Sequence, residues 1–281
     1  MGMSINTNLS ALNTYRNLNA TQNDLSKSLE KLSSGLRINR AADDAAGLSI
    51  SEGLKSQVGG LTVAARNAQD GISVVQTAEG GLTETHAILQ RVRDLAVQAG
   101  NDSNNADSRT AISTEVTQLS AELGRIADST NFNGINLLDG TAGTAGDGKL
   151  NFQVGANGDA ASQITVDLSG ANVKTVSTAV AALKFDSAAD AQASITAIDA
   201  QIKDVSSARS NIGAIQNRFD HAINVTNVAK ENLTAAGSRI TDVDMAEEMV
   251  KYTRDNILSQ AGTSMLAQAN QSTQGVLSLL R

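Results

Sequence analysis

The chain has 281 residues, 22 basic and 29 acidic, for a formal net charge of -7. That balance excludes binding driven by phosphate neutralisation and so argues against nucleic acid as a partner. Cysteine and proline are absent and aromatic residues make up 2%. The first absence removes disulfides and thiolate chemistry, and the second lets helices run long without a missing donor or a ring clash. Small side chains in place of aromatics suit closely packed long helices better than a wide globular core. No apolar run approaches the length of a membrane span, so membrane insertion is not expected. Met1 to Ser10 has neither a basic nor an apolar block, which makes it no conventional secretory signal, although a specialised exporter could read such an end.

The first element carries Leu18, Leu25 and Leu32 at sevens, with Tyr15, Gln22, Leu29 and Leu36 on a companion seam, and Ile5, Leu9 and Leu12 extending an apolar face upstream. This predicts an amphipathic helix that needs a partner surface. Ser33 to Asp44 breaks the pattern with Gly35, Arg37, Arg40, Asp43 and Asp44, and reads as a charged connection. A second helix is predicted from about Leu48 to Ala99, on the order of 75 Å at 1.5 Å per residue. Its seam is Leu54, Leu61, Ala68, Val75, Leu82 and Leu89, joined by Val58, Ala65 and Ile72. Gly59, Gly60, Gly80 and Gly81 lie inside it; they either permit close approach of another helix or interrupt this one.

Gly100 and Asn101 mark its end. A third helix is predicted from about Asp107 to Ser129 on Ile112, Val116, Leu119, Leu123 and Ile126, followed by a turn at Asn133 and Gly134 and a loop from Asp139 to Gly148. Leu150, Phe152 and Val154 alternate with polar neighbours, as do Ile164, Val166 and Leu168, predicting a small hairpin within about residues 149–170. Val173 to Asp186 reads equally as short helix or loop. Ser187 with Asp190 forms a capping box for a fourth helix, whose seam is Ile198, Val205, Ile212, Phe219 and Leu233 and whose expected stop is Gly237. Thr241 with Asp244 reads as a second capping box, opening a last helix from about Val243. That helix carries Met245, Met249, Val250, Ile257, Leu258, Met265 and Leu266 and ends in Val276, Leu277, Leu279 and Leu280. So many aliphatic residues beside one charge should be buried in an oligomer.

The expected fold class is therefore mainly α: a long antiparallel helical rod or coiled coil with a small β-hairpin region at its outer part. The two ends most simply pair with each other, leaving the β insert at the far tip. Catalysis finds no support. His86 and His221 are the only histidines and neither stands in a zinc pattern. The acids Glu79, Glu84 and Asp94 read as solvated helix faces, and there is no nucleotide fingerprint or nucleophile elbow. Catalytic, cofactor and metal residues are accordingly expected to be none.

Several long stretches resemble bacterial flagellins. These are LSSGLRINRAADDAAGLSIS from Leu32 to Ser51, QDGISVVQTAEGGLTETHAILQRVRDLAVQAGN from Gln69 to Asn101, FNGINLLDG from Phe132 to Gly140, and the region from Leu233 to Arg281 containing ENLTAAGSRITDVDMAEEM and MLAQANQ. The resemblance covers nearly everything outside about Thr141 to Ala193 and looks like the minimal flagellin plan, without large outer domains.

It implies a structural subunit, secreted through the flagellar type III apparatus, that polymerises with copies of itself into the extracellular filament used for swimming. It further implies an inner domain of residues 1–44 and 239–281 and a central rod of residues 45–238. Inner-tube packing would fall to Leu18, Leu25, Leu32, Ile257, Met265, Leu277, Leu279 and Leu280. Arg37, Arg40, Asp43 and Asp44 are expected at an interface between domains or subunits. Implied partners are an export chaperone at the C-terminal region, the filament cap protein, hook–filament junction proteins, a cytosolic innate sensor reading the C-terminal leucines, and an innate immune receptor contacting Arg91, Leu95 and Glu115. Read from the residues alone, Leu95 is as compatible with core packing as with exposure. Competing readings are a hook–filament junction protein, a variant flagellin with a folded adhesin or peptidase insert, for which Thr141 to Ala193 is too short, and a generic coiled-coil scaffold forming closed oligomers.

Overall fold

The structure, a computed structural model, describes residues 8–279, with side chains through residue 271. Six helices and two small hairpins are formed by these residues: α1 (Leu9–Ser34), α2 (Ala45–Ala99), α3 (Ala106–Ser129), β1 (Asn131–Phe132), β2 (Ile135–Asn136), β3 (Lys149–Gln153), β4 (Gln163–Asp167), α4 (Val173–Ala181), α5 (Ala188–Thr241) and α6 (Met245–Leu279). The chain divides into two compact units, one of Met1–Ser56 with Asn232–Arg281 and one of Gln57–Glu231.

In the Gln57–Glu231 unit, α2 and α5 run antiparallel. Arg93 Nε meets Asp199 Oδ1 at 2.7 Å and Arg209 Nη2 meets Glu79 Oε1 at 3.5 Å, while Gly71 lies against the Phe219 ring. Partner numbers fall along α2 as they rise along α5, as an antiparallel pair of helices requires. The heptad positions Ala68, Val75, Leu82 and Leu89 meet Ile198, Val205, Ile212 and Phe219 in one core. α2 is unbroken through its glycines. Gly60 sits under Ala156 and Gly81 under Leu138 and Thr130, whereas Gly59 and Gly80 face open space. One glycine of each pair thus permits close approach, and its neighbour is a plain loss of helix propensity.

α3 turns back along α2. Asn105 caps it by accepting from Ser108 N at 2.8 Å, Arg91 pairs with Glu115 at 2.7 Å, and the end of α3 reaches Gly81 through Thr130. Asn133 (φ 50°) and Gly134 (φ 79°) then make the left-handed turn joining β1 to β2. The β3–β4 hairpin pairs Lys149 with Asp167 through Gln153 with Gln163. Because α3 has already carried the chain back along α2, this hairpin packs beside the early part of the helix. Asn67 Nδ2 donates to Gln153 O at 3.0 Å and Phe152 stands edge-on to Phe219 at 5.6 Å. The hairpin is therefore not at the tip where α2 turns into α3, as the sequence pattern suggested.

The undecided stretch after β4 folds as α4, held on α3 by reciprocal hydrogen bonds: Ser120 Oγ to Ser177 O and Ser177 Oγ to Ser120 O, both 2.9 Å. Ser187 caps α5, accepting from Asp190 N at 3.1 Å and donating to the Asp190 carboxylate at 2.6 Å. Two boundaries near the end differ from expectation. α5 passes through Gly237 to Thr241, since a glycine stops a helix only where the chain turns into the left-handed region, and Gly237 stays helical. The cap of α6 is Asp244 alone, accepting from Ala246 N and Glu247 N at 2.9 and 3.2 Å. The Thr241 hydroxyl instead bonds backward to Gly237 O at 3.0 Å.

Candidate assembly surface

In the unit made by the two ends, α1 and α6 pack side by side and antiparallel. Asn8 Nδ2 donates to Ala269 O at 3.0 Å, Leu18 covers Gly262, and Ser28 Oγ donates to Glu248 Oε1 at 2.6 Å in a buried contact. The α6 face turned to α1 therefore follows Glu248, Asp255, Gly262 and Ala269 at sevens, with Tyr252, Ser259 and Leu266 beside them. This seam is polar and small. Glu248 and Asp255 are buried, with Lys251 3.8 Å from the first and Arg254 3.5 Å from the second.

Most of the large apolar residues of α6, Leu266 apart, point the other way. Val250 is 70% exposed and Ile257 61%, and Met245, Met249, Leu258 and Met265 are exposed with them. Met249, Val250, Thr253, Arg254, Ile257 and Leu258 line a groove of about 490 Å³ on that face. On α1, Leu18 is buried and Leu25 and Leu32 half-buried, but the companion residues Tyr15 and Leu29 are exposed along with Leu9 and Leu12. The two ends thus satisfy only one side of each other. Heptad spacing located the amphipathic helices but not this inversion, whose signal was the polar series Glu248, Asp255 and Gly262. Of the residues expected inside a tube, Leu18, Leu25 and Leu32 face α6, whereas Ile257 and Met265 face outward; the side chains of Leu277, Leu279 and Leu280 lie outside the described residues.

The charged connection is a local crossing point. Gly35 (φ 73°) ends α1 with its N–H on Lys31 O at 2.8 Å. Leu36 then bridges antiparallel to Asp242, flanked by Arg37 N to Thr241 O at 2.6 Å and Val243 N to Gly35 O at 3.1 Å. The Arg37 guanidinium donates twice to Ile240 O, at 2.6 and 3.2 Å, satisfying a carbonyl of the last turn of α5. Asp44 Oδ1 accepts from Gly47 N at 2.9 Å and caps α2. Arg40 pairs with Glu30 at 2.9 Å at the surface, worth about 0–1 kcal/mol. Ile38 is buried among them. The structure therefore brings Arg37, Arg40, Asp43 and Asp44 to one place, and most of their polar capacity is spent on their own chain.

Asp43 accepts from Asn39 N and Arg40 N at 3.1 and 3.0 Å. These backbone donors, Arg40 first, hold its carboxyl below the usual carboxylate range. With the folded pKa depressed, the stabilisation is complete above the unfolded value and is lost as pH falls through the folded one. The amide resonances of Asn39 and Arg40 are expected to hold steady down to about pH 4 and to shift together below it. In Asp43→Ala they should already lie at the low-pH position at neutral pH.

Arg91 and Glu115 stand at the surface as an ion pair, both Arg91 Nε and Nη2 reaching Glu115 Oε1 at 2.9 and 2.7 Å. Leu95 does not join them there; it is 2% exposed and belongs to the core. Among the described residues no group of three or more His, Cys, Asp or Glu could hold a metal ion, and no helix is long and apolar enough to cross a membrane.

These features define a class: a helical subunit whose terminal helices pair through a polar seam and present apolar residues for packing against something else. Comparison with known proteins gives the family. Residues 5–143 match the bacterial flagellin N-terminal helical region and residues 195–280 the bacterial flagellin C-terminal helical region. The chain is 52% identical to a flagellin of Halalkalibacterium halodurans and 49% identical to a flagellin of Bacillus subtilis, in each case over 99% of this chain and 100% of the other. Among solved structures, a protein of Vibrio parahaemolyticus assigned as flagellar hook-associated is similar in fold with a TM-score of 0.56 at 16% identity, covering 71% of this chain and 100% of that one.

The chain belongs to the bacterial flagellin family. It is a structural subunit of the flagellar filament, a helical polymer of copies of itself that serves motility.

Proposed function

We propose that the outward apolar face of α6, with the exposed apolar residues of α1, is the surface through which subunits pack around the lumen of the filament. The observation that supports this is the inversion on α6: Met249, Val250, Ile257 and Leu258 lie in the open while Glu248 and Asp255 are buried against α1. Burying one such aliphatic side chain contributes about 1.5–3 kcal/mol, and a face repeated on every copy in a head-to-tail contact that does not close gives an open helical polymer. Terminal segments 1–44 and 239–281 would form this inner layer, including Leu277, Leu279 and Leu280. The crossing built by Arg37, Arg40, Asp43 and Asp44 would set the direction in which the segments leave it.

The same reading places the assembled subunit outside the cell. It assigns the C-terminal region to an export chaperone before assembly, and the two filament ends to a cap protein and to hook–filament junction proteins. A junction protein in this chain's own place is the weaker alternative, because the family models and the relatives that match along its length are flagellins. For an innate immune receptor, the Arg91–Glu115 pair is the accessible part of the expected contact. Leu95 would contribute by holding α2 in place from beneath, and Arg91→Ala should weaken receptor signalling more than Leu95→Met.

Truncation tests the assembly reading. Removing the last twenty residues should abolish filament growth on seeds while the circular dichroism of the remaining chain keeps most of its helical signal. Growth at the full-length rate would overturn the reading.

A further inference from the structure

All five methionines of the chain fall near its ends: Met1, Met3, Met245, Met249 and Met265. The three on α6 are 48%, 49% and 62% exposed, because the seam that meets α1 is made by Glu248, Asp255 and Gly262. Met249 shares its groove with the aliphatic Val250, Ile257 and Leu258 and also with Thr253 and Arg254. With no cysteine and no tryptophan in the chain, these thioethers are the most readily oxidised accessible groups among the described residues.

We propose that Met245, Met249 and Met265 are sites of reversible oxidation by hydroperoxides in the unassembled subunit, and that the sulfoxide blocks assembly. The inference rests on the assembly surface proposed above. In the reaction a sulfur lone pair attacks one peroxide oxygen, so that an S–O bond forms and the O–O bond breaks. Sulfur loses two electrons, the peroxide gains them, and the departing hydroxide leaves as water after taking up the proton of the transferred hydroxyl. The product is a strongly polar S=O in the middle of an apolar face. Burial in a subunit contact strips water from that oxygen where a thioether had packed without such a cost, and each sulfoxide should raise the critical concentration for growth about tenfold. Since all three side chains are about half exposed or more and none is one of the seam residues Glu248, Asp255 and Gly262, the free subunit keeps its fold. Packing into the filament removes the sulfurs from solvent, so the device acts before assembly and not after.

The test treats free subunits and seed-grown filaments with hydrogen peroxide, maps sulfoxides by peptide mass spectrometry, and measures growth on untreated seeds by light scattering. Met245, Met249 and Met265 should oxidise in free subunits and be protected in filaments. Oxidised subunits should keep their circular dichroism and fail to grow at concentrations where untreated ones do, and methionine sulfoxide reductase should restore them. The variant M245L/M249L/M265L is compared only with itself, and its growth, whatever its own rate, should be the same with and without peroxide. Growth of fully oxidised subunits at the untreated rate would overturn the proposal, as would equal inhibition of the triple variant, which would place the damage elsewhere. Failure of untreated subunits to grow would sink the assembly reading and the proposal with it, and is distinguished by appearing in the absence of peroxide.

Discussion

Replacing Ile257 and Leu258 together by glutamate is expected to stop filament growth while leaving the subunit folded. Both side chains are exposed on the α6 face turned away from α1, so the change removes nothing from the α1–α6 seam or from the core of the Gln57–Glu231 unit. In a polymer the same positions would be buried. Losing two aliphatic contacts forfeits about 1.5–3 kcal/mol each, and an unpaired carboxylate in an apolar contact adds several kcal/mol more. A rise of the critical concentration by about a hundredfold or more follows from the first effect alone at about 1.4 kcal/mol per decade. Sedimentation of seeded reactions against subunit concentration measures it, and the thermal melt of the free variant should overlay that of the parent.

A second large effect is expected at the other unit. Phe219 is fully buried, stacked edge-on to Phe152 and lying over Gly71. Phe219→Ala should destabilise this unit by about 3–5 kcal/mol, seen as a lower midpoint in urea denaturation. Gly71→Ala should also destabilise, despite alanine's higher helix propensity. The added Cβ would stand 2.6 Å from the Phe219 ring, and a rigid ring in a packed core has nowhere to go, a cost of about 1–3 kcal/mol. Gly80→Ala should do the reverse. Nothing lies within 4 Å of the site, so the free subunit should gain about 0.5–1 kcal/mol. Opposite signs at two glycines of one helix separate close approach from propensity.

Much of this fold could be read from residue spacing. The sevens of α2 and α5 mark the core positions because both helices bury the same stripe along a shared antiparallel contact, and alternation located β3 and β4. What spacing could not supply was direction. Leu18, Leu25 and Leu32 report that α1 has an apolar stripe, but the stripe of its partner α6 points away, since the register that places Leu18 over Gly262 puts small and polar residues in the seam. A pattern of apolar sevens says that a face needs covering and does not say by what. The local misses share a cause. Gly237 and Thr241 carry the composition of a stop and a cap, yet the antiparallel pairing of Leu36 with Asp242 holds α5 helical through them and moves the turn to Asp242–Asp244. At Leu95 the residues left core packing and exposure open, and the fold buries it in the core.

The charged connection shows the same limit from the other side. Its composition suggested charges offered to a neighbour, whereas Arg37, Asp43 and Asp44 are bound to backbone groups of their own chain. Four charged residues at a bend are needed when a helix end, a helix start and a crossing strand must all be satisfied within a few residues. On the assembly surface proposed above, their part is to fix geometry, and apolar area supplies the attraction.

This subunit, folded as described, carries an uncovered apolar face on α6, proposed above to be covered by further copies. Purified subunits added to short filament seeds and viewed by electron microscopy should give open filaments that lengthen with subunit concentration; closed oligomers of fixed size, with seeds unextended, would rule that out.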